Sequence, residues 1–304
     1  LAKQMTTKGF FGVYQFQVGN QKAWALHDGF ICGEPVQQFA VGVPDAEIAT
    51  LFGPYFLNPQ RIQLAMTPIL FRWGSEWVLN DAGIGSVFGD PVGALGHRLN
   101  ALSVRPEDIG VVLLTHLHTD HVGGLLDRAN KRPLFPGARI LIAEAEIEFW
   151  QAPNPDTSEL RDVPPELIDL TIRCAHDALE ILSKQIEPFA PEAELLPGVR
   201  GIALPGHTPG QTGYLFKSEG SQLLVVGDAM HDPILHVRRP DWTSMGDARR
   251  GLTVETRRML LARLADEGIR FQSFHFPFPG IGHIRRETDG RFEFVPERWT
   301  WGEE

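Results

Sequence analysis

Short runs rich in β-branched, aliphatic and aromatic residues recur along the first half of the chain, at 13–18, 23–26, 68–73, 76–79, 111–114 and 139–143. Turn-forming Gly, Pro, Asn and Asp separate them, which is the signature of successive β-strands. A second set follows at 199–204, 213–216, 222–226, 271–274 and 291–295. The two sets predict two sheets of similar size. Helical periodicity appears at 164–185 and at 254–267, where Leu260, Leu261 and Leu264 share one face and Gly268 is placed to cap the end. With helices on the outer faces of both sheets, the predicted fold is α/β (α+β), a four-layer αββα sandwich formed by one domain over 1–304. The stretch 34–66 reads as a strand-poor insertion carrying Phe39, Phe52, Tyr55 and Phe56. Its aromatics would line a pocket, pack a partner subunit or plug an edge of the core.

Composition narrows the chemistry. The chain has 304 residues, 43% of them apolar, and a formal net charge of -10. No basic block is present that would neutralise a run of phosphates, so nucleic acid is not an expected partner. The longest apolar stretches, at 111–114 and 223–226, are strand-sized, and no membrane insertion is expected. Cys32 and Cys174 are far apart and form no C-x-x-C pair, so a metal would be held by nitrogen and oxygen. The first residue is Leu1 rather than methionine, which leaves room for an export signal upstream, and the compartment stays open between cytoplasm and periplasm.

The densest chemistry is Thr115-His116-Leu117-His118-Thr119-Asp120-His121, directly after the apolar run 111–114 and before Gly123-Gly124. In an extended segment the spacing of His116 and His118 points both imidazoles to one side. A turn begun at Asp120 then lets His121 approach from another direction. A lone histidine is usually a surface or satisfied core residue. Three histidines and an aspartate at one strand end repel when protonated and compete for partners, unless a cation organises them. Imidazole with carboxylate suits zinc, and also iron, manganese or cobalt.

This H-x-H-x-D-H pattern resembles the signature of the metallo-β-lactamase superfamily, and the later segments expected from that resemblance are present. His207 stands in Gly206-His207-Thr208-Pro209-Gly210, Asp228 in Gly227-Asp228-Ala229 and His275 in Phe274-His275-Phe276-Pro277, each following a predicted strand. The resemblance implies that His116, His118 and His207 bind one metal, that Asp120, His121 and His275 bind another, and that Asp228 bridges them. Asp81, in Asn80-Asp81-Ala82-Gly83, resembles an early strand-end aspartate that supports the site without ligating metal. Ala82 departs from the threonine more often found after that aspartate. Two metals about 3.5 to 4 Å apart share a water whose pKa falls toward neutrality, so the implied nucleophile is a bridging hydroxide. Asp120 and His231 are the side chains assigned to catalysis.

Over most of its length the chain is similar to methyl parathion hydrolase and its relatives, which include lactonases acting on N-acyl-homoserine lactones. The segments carrying this are Leu26-His27-Asp28-Gly29, Gly85-Ser86-Val87-Phe88-Gly89, Phe149-Trp150 and the stretch 276–284. Phe88 and Trp150 match pocket-lining aromatic positions, which makes both candidate substrate contacts, with core packing as the competing explanation. His231, three residues after Asp228, stands near a tyrosine that some lactonases use against the reacting carbonyl. It would donate the same hydrogen bond or pass a proton to the leaving alkoxide. Gln211 stands where relatives often repeat a histidine.

A bridging aspartate argues against a true β-lactamase, and the resemblance gives no support to glyoxalase II or to RNA-processing members. The expected reaction is hydrolysis of small-molecule lactones or carboxylic esters, of the acyl-homoserine lactone type, with phosphotriester hydrolysis as a secondary activity. A primary organophosphate phosphotriesterase is the alternative, because metal ligands alone do not separate these substrates. A non-hydrolytic metal-binding or diiron redox protein is the reading from another class. Two divalent ions, zinc first, and a homodimer complete the expectation.

Overall fold

The computed structural model describes residues 12–87 and 93–299, the surroundings of Cys32 and Gly33 excepted. Val13–Val18, Gln21–Leu26, Ile69–Trp73, Glu76–Asn80, Ile109–Leu113, Arg139–Ala143 and Ile186–Phe189 form a seven-stranded sheet in that spatial order. Glu194–Leu196, Val199–Ala203, Thr212–Ser218, Ser221–Val225, Arg270–Gln272, Ile281–Arg286 and Phe292–Pro296 form a second seven-stranded sheet, again in chain order. Both sheets mix parallel with antiparallel pairs. Glu76–Asn80, Ile109–Leu113 and Arg139–Ala143 run parallel, so their C-terminal ends share one edge. Ser221–Val225 and Arg270–Gln272 are also parallel.

The period-two alternation of each strand divides its residues between two interiors. Val111, Leu113, Leu141, Phe71 and Val78 meet Tyr214, Phe216, Leu223 and Val225 between the sheets, and the Phe71 and Phe216 rings stack at 3.9 Å. The intervening Val112, Ile140 and Ile142 face outward onto Cys174, Ala175, Ala178 and Leu179 of the helix Pro165–Ile181. Likewise Leu215, Leu224 and Phe271 face Leu260, Leu261 and Leu264 of the helix Arg250–Asp266. Strands buried on both faces read as unbroken apolar runs, which is why 111–114 and 223–226 carry no polar alternation.

The expectation of a strand-poor insertion needs correcting. Arg61–Met66 is a strand, paired antiparallel with Gly29–Pro35, and Asp45–Phe52 is a helix between them. Ile62 and Leu64 point inward from this strand while Arg61 and Gln63 are exposed, an alternation legible in the sequence. Phe39, Ile48 and Phe52 pack with them against Leu235 and Trp242. The insertion therefore rests on the chain that follows Asp228. The run expected at 271–274 is a shorter strand, Arg270–Gln272, and Phe274 and His275 lie in the turn after it.

Candidate metal centre

The strand directions place the candidate ligands together. The loop after Ile109–Leu113 carries His116, His118, Asp120 and His121, and the neighbouring parallel strand Glu76–Asn80 ends at Asp81. On the facing sheet Asp228 and His275 follow two parallel strands, and His207 lies in the turn between Val199–Ala203 and Thr212–Ser218. The sheets are tied at this point by a bond of 2.9 Å from the Thr212 N–H to the Thr115 carbonyl.

Ligand-capable atoms of His116, His118 and His207 cluster within 4.8 Å of one another, and so do those of Asp120, His121 and His275. Asp228 lies between the two triads. Its Oδ1 is 3.2 Å from His121 Nε2, and its Oδ2 is 3.4 Å from His207 Nε2, 3.1 Å from His275 Nε2 and 4.0 Å from His116 Nε2. His231 Nε2 also reaches Asp228 Oδ2, at 3.4 Å.

The partners of the other ring nitrogens decide which atoms are free. Carboxylates and carbonyls only accept hydrogen bonds, so a ring nitrogen against one carries the proton. His121 Nδ1 meets Asp81 Oδ2 at 3.0 Å, His207 Nδ1 meets Asp247 Oδ1 at 2.9 Å and His275 Nδ1 meets the Ala65 carbonyl at 2.8 Å. Thr115 Oγ1, within 3.0 Å of Asp81, donates there and accepts from His116 Nδ1, also at 3.0 Å. Each of these four rings thereby turns Nε2 inward, the nitrogen that a metal would take. His118 instead presents Nδ1, 2.9 Å from His207 Nε2. His116 Nε2, His121 Nε2 and Asp228 Oδ1 are buried without a hydrogen-bond partner, the 3.2 Å approach of the last two lacking the alignment of one. Buried lone pairs converging without donors are costly, and a cation between them removes the cost. The residues fit divalent ions on this ground.

The electrostatics agree. Burial, then the neighbouring histidines, push His116 well below the ordinary imidazole range and His118 down to about 3. Burial opposes charge on His121 and His275 too, but the carboxylates of Asp228 and Asp120 outweigh it, raising His121 and lifting His275 to about 10. In the absence of metal, protons stand where positive charge is wanted.

The site also uses residues that the sequence reading missed. Glu146 is fully buried, and its carboxylate accepts from Leu117 N–H at 2.9 Å, Trp150 Nε1 at 2.7 Å, Thr208 Oγ1 at 2.6 Å and Gly210 N–H at 3.2 Å. One side chain thus joins both ligand loops. Its sequence signal is faint: an acidic residue one helical turn before Trp150. Asp247, behind His207, has no local motif at all.

A cavity of about 190 Å³ opens over the cluster. His118, Asp120, His207, Asp228, His231 and His275 line its polar end, while Phe39, Leu64, Trp150, Leu167, Ile168 and Met245 are among the apolar residues around the rest. Trp150 is thus both wall and core, 1% exposed with its indole N–H taken by Glu146. Phe88 lies outside the described residues. Gln211 is buried beside the His207 turn, its Nε2 donating to the Leu204 carbonyl at 3.2 Å.

The family model described as the metallo-beta-lactamase superfamily matches residues 69–268, a span containing every candidate ligand except His275. The chain belongs to the metallo-beta-lactamase superfamily. Among solved members, it is similar to AidC, a dizinc quorum-quenching lactonase in complex with a product (28% identity, TM-score 0.89, 95% of this chain and 98% of that one). It is also similar to the hydrolase AbOPH (26% identity, TM-score 0.83, the same two shares). An N-acyl homoserine lactonase from Bacillus cereus is 27% identical over 128 residues, which is 42% of this chain and 41% of that protein. The matches span 66% or less of the curated relatives they reach. Both similar structures are named as hydrolytic enzymes, one a dizinc lactonase and the other a hydrolase.

Proposed function

We propose that the protein is a binuclear metal-dependent hydrolase that opens lactones or cleaves carboxylic esters joining a polar head to an apolar tail, with N-acyl-homoserine lactones foremost. The observation carrying this reading is the convergence of both ligand triads on Asp228 at the polar end of an otherwise apolar cavity. His116, His118 and His207 would hold one ion and Asp120, His121 and His275 the other, with Asp228 serving both. Nitrogen-rich ligands favour zinc among the candidate ions. When bound, the two ions supply Lewis acidity toward the carbonyl and a water nucleophile that ionises near neutral pH.

The chain's own residues bind, orient and exclude water. Phe39, Leu64 and Trp150 present apolar surface beside the polar floor, which suits an acyl chain and keeps bulk solvent from the reacting bond. His231 edges the cavity, and burial lowers its pKa despite the opposing Asp228 carboxylate. A neutral imidazole there would donate a hydrogen bond to substrate oxygen, and the imidazolium would pass a proton to the departing alkoxide and return to neutral. The product-bound dizinc lactonase among the relatives supports both the substrate class and the metal.

The test is kcat/KM of zinc-loaded protein on an N-acyl-homoserine lactone, an aryl ester and a methyl phosphotriester in one buffer. The expected order puts the lactone first and the phosphotriester last but measurable. A phosphotriester preference would replace the substrate assignment. A coloured, redox-active iron protein without hydrolysis would replace the activity.

A further inference from the structure

Asp247 and Arg257 lie behind the ligand cluster, and both are fully buried. Asp247 Oδ1 accepts a hydrogen bond from His207 Nδ1 at 2.9 Å, while Oδ2 accepts the Ser244 N–H at 2.8 Å. The guanidinium of Arg257 reaches in from the helix Arg250–Asp266. Its Nε donates to the Ala229 carbonyl at 2.7 Å, its Nη1 donates to the carbonyls of Pro240 and Trp242, and its Nη2 stands 3.9 Å from Asp247 Oδ2. That Nη2 has no hydrogen-bond partner among the described residues, so Asp247 receives charge from it rather than a hydrogen bond. An isolated buried carboxylate is costly, and a buried cation nearby offsets that cost.

The other rings are anchored without Asp247: His116 on Thr115, whose hydroxyl donates to Asp81, His121 on Asp81 and His275 on the Ala65 carbonyl. Asp247 touches His207 alone among the ligands. We propose that Asp247, backed by Arg257, is the positioning residue that sets metal affinity at the His116, His118 and His207 subsite without acting on the Asp120, His121 and His275 subsite. By holding the His207 proton on Nδ1 it bares Nε2, and its negative charge makes that nitrogen a stronger donor to a metal. The inference rests on the binuclear reading of the site.

Asp247→Asn keeps the shape and removes the charge. If the amide oxygen stays on Ser244 N–H, the amide NH2 faces His207 Nδ1, which must then accept, and the ring proton moves to Nε2 where a metal would bind. If the amide turns over, two donors confront each other at Ser244. Either outcome weakens the one subsite.

The experiment measures zinc per chain and the affinity of each bound zinc by competition with a chromogenic chelator, on full-length protein checked for folding by circular dichroism. In Asp247→Asn one zinc is expected to bind about 10- to 100-fold more weakly and the other as in wild type. Arg257→Met is expected to weaken the same zinc. Asp81→Asn, which touches His121 directly and His116 through Thr115, should weaken both. Should Arg257→Met fail to fold with three carbonyls unpaired, Asp247→Asn carries the test by itself. Two zinc ions bound by folded Asp247→Asn with unchanged affinities, or weakened equally, overturn this inference alone. A wild-type chain that takes up no zinc overturns the binuclear reading and this inference with it.

Discussion

His231 and Cys174 are both buried, and burial has opposite consequences for them. His231 borders the cavity, keeps its Nδ1 without a hydrogen-bond partner and packs parallel to His275 with ring centroids 5.4 Å apart. If it assists the leaving group, His231→Ala should lower kcat for a lactone by about 100-fold while metal content stays at the wild-type level. Unchanged lactone turnover would remove His231 from the mechanism. Cys174 packs in the layer between the first sheet and the helix Pro165–Ile181, where burial pushes its thiol up to about 11. Because that value is raised, the thiol stays protonated at pH 8 and lacks the thiolate that disulfide reagents attack. In a Cys32→Ser background, a chromogenic disulfide reagent is expected to give no signal until denaturant is added. Rapid reaction of the native protein would show that the packing around Cys174 opens readily.

The Glu144–Gln151 helix and the His207 turn meet through Glu146, and the meeting requires Gly210. A Cβ at position 210 would lie 2.0 Å from the Glu146 backbone nitrogen, a contact that no side-chain adjustment relieves. Gly210→Ala is therefore expected to cost about 1–3 kcal/mol of stability. It should also displace His207, so thermal unfolding and zinc content fall together. A stable Gly210→Ala protein with full zinc would mean that the turn and helix can separate without disturbing the ligand. The insertion acts on the site in a similar way, since Ala65 holds His275 from both directions, its carbonyl taking the ring Nδ1 at 2.8 Å and its N–H meeting the His275 carbonyl at 3.3 Å.

The ligands come from both sheets, with His116, His118, Asp120 and His121 following a strand of the first and His207, Asp228 and His275 belonging to the second. Metal ions held among them would cross-link the two halves of the sandwich. Removing them by chelation should lower Tm, because each ion present at 100 times its Kd stabilises the folded state by about 2.7 kcal/mol. Zinc should restore the transition and calcium should not, since calcium prefers oxygen ligands. An identical melting curve with and without chelator would count against metals that bridge the sheets.

While His207, Asp228 and His275 entered as candidate ligands through the family resemblance, the apolar runs were enough to predict two sheets and outer helices, and the spacing of His116, His118, Asp120 and His121 pointed to a metal site. Those features are local: side-chain alternation and turn chemistry are written within a few residues of one another. The strand Arg61–Met66 was equally local in its alternation, but its aromatic-rich surroundings masked it. What only the tertiary structure decided is which ring nitrogen faces inward, because that depends on Asp81, Asp247, Ala65 and Thr115 arriving from separate elements. The same holds for Glu146 and Arg257, whose acceptors and donors lie up to 64 residues away. No spacing rule registers such partners. A buried charge acquires its role from whatever the fold brings against it, and for these residues that is settled only when the two sheets close.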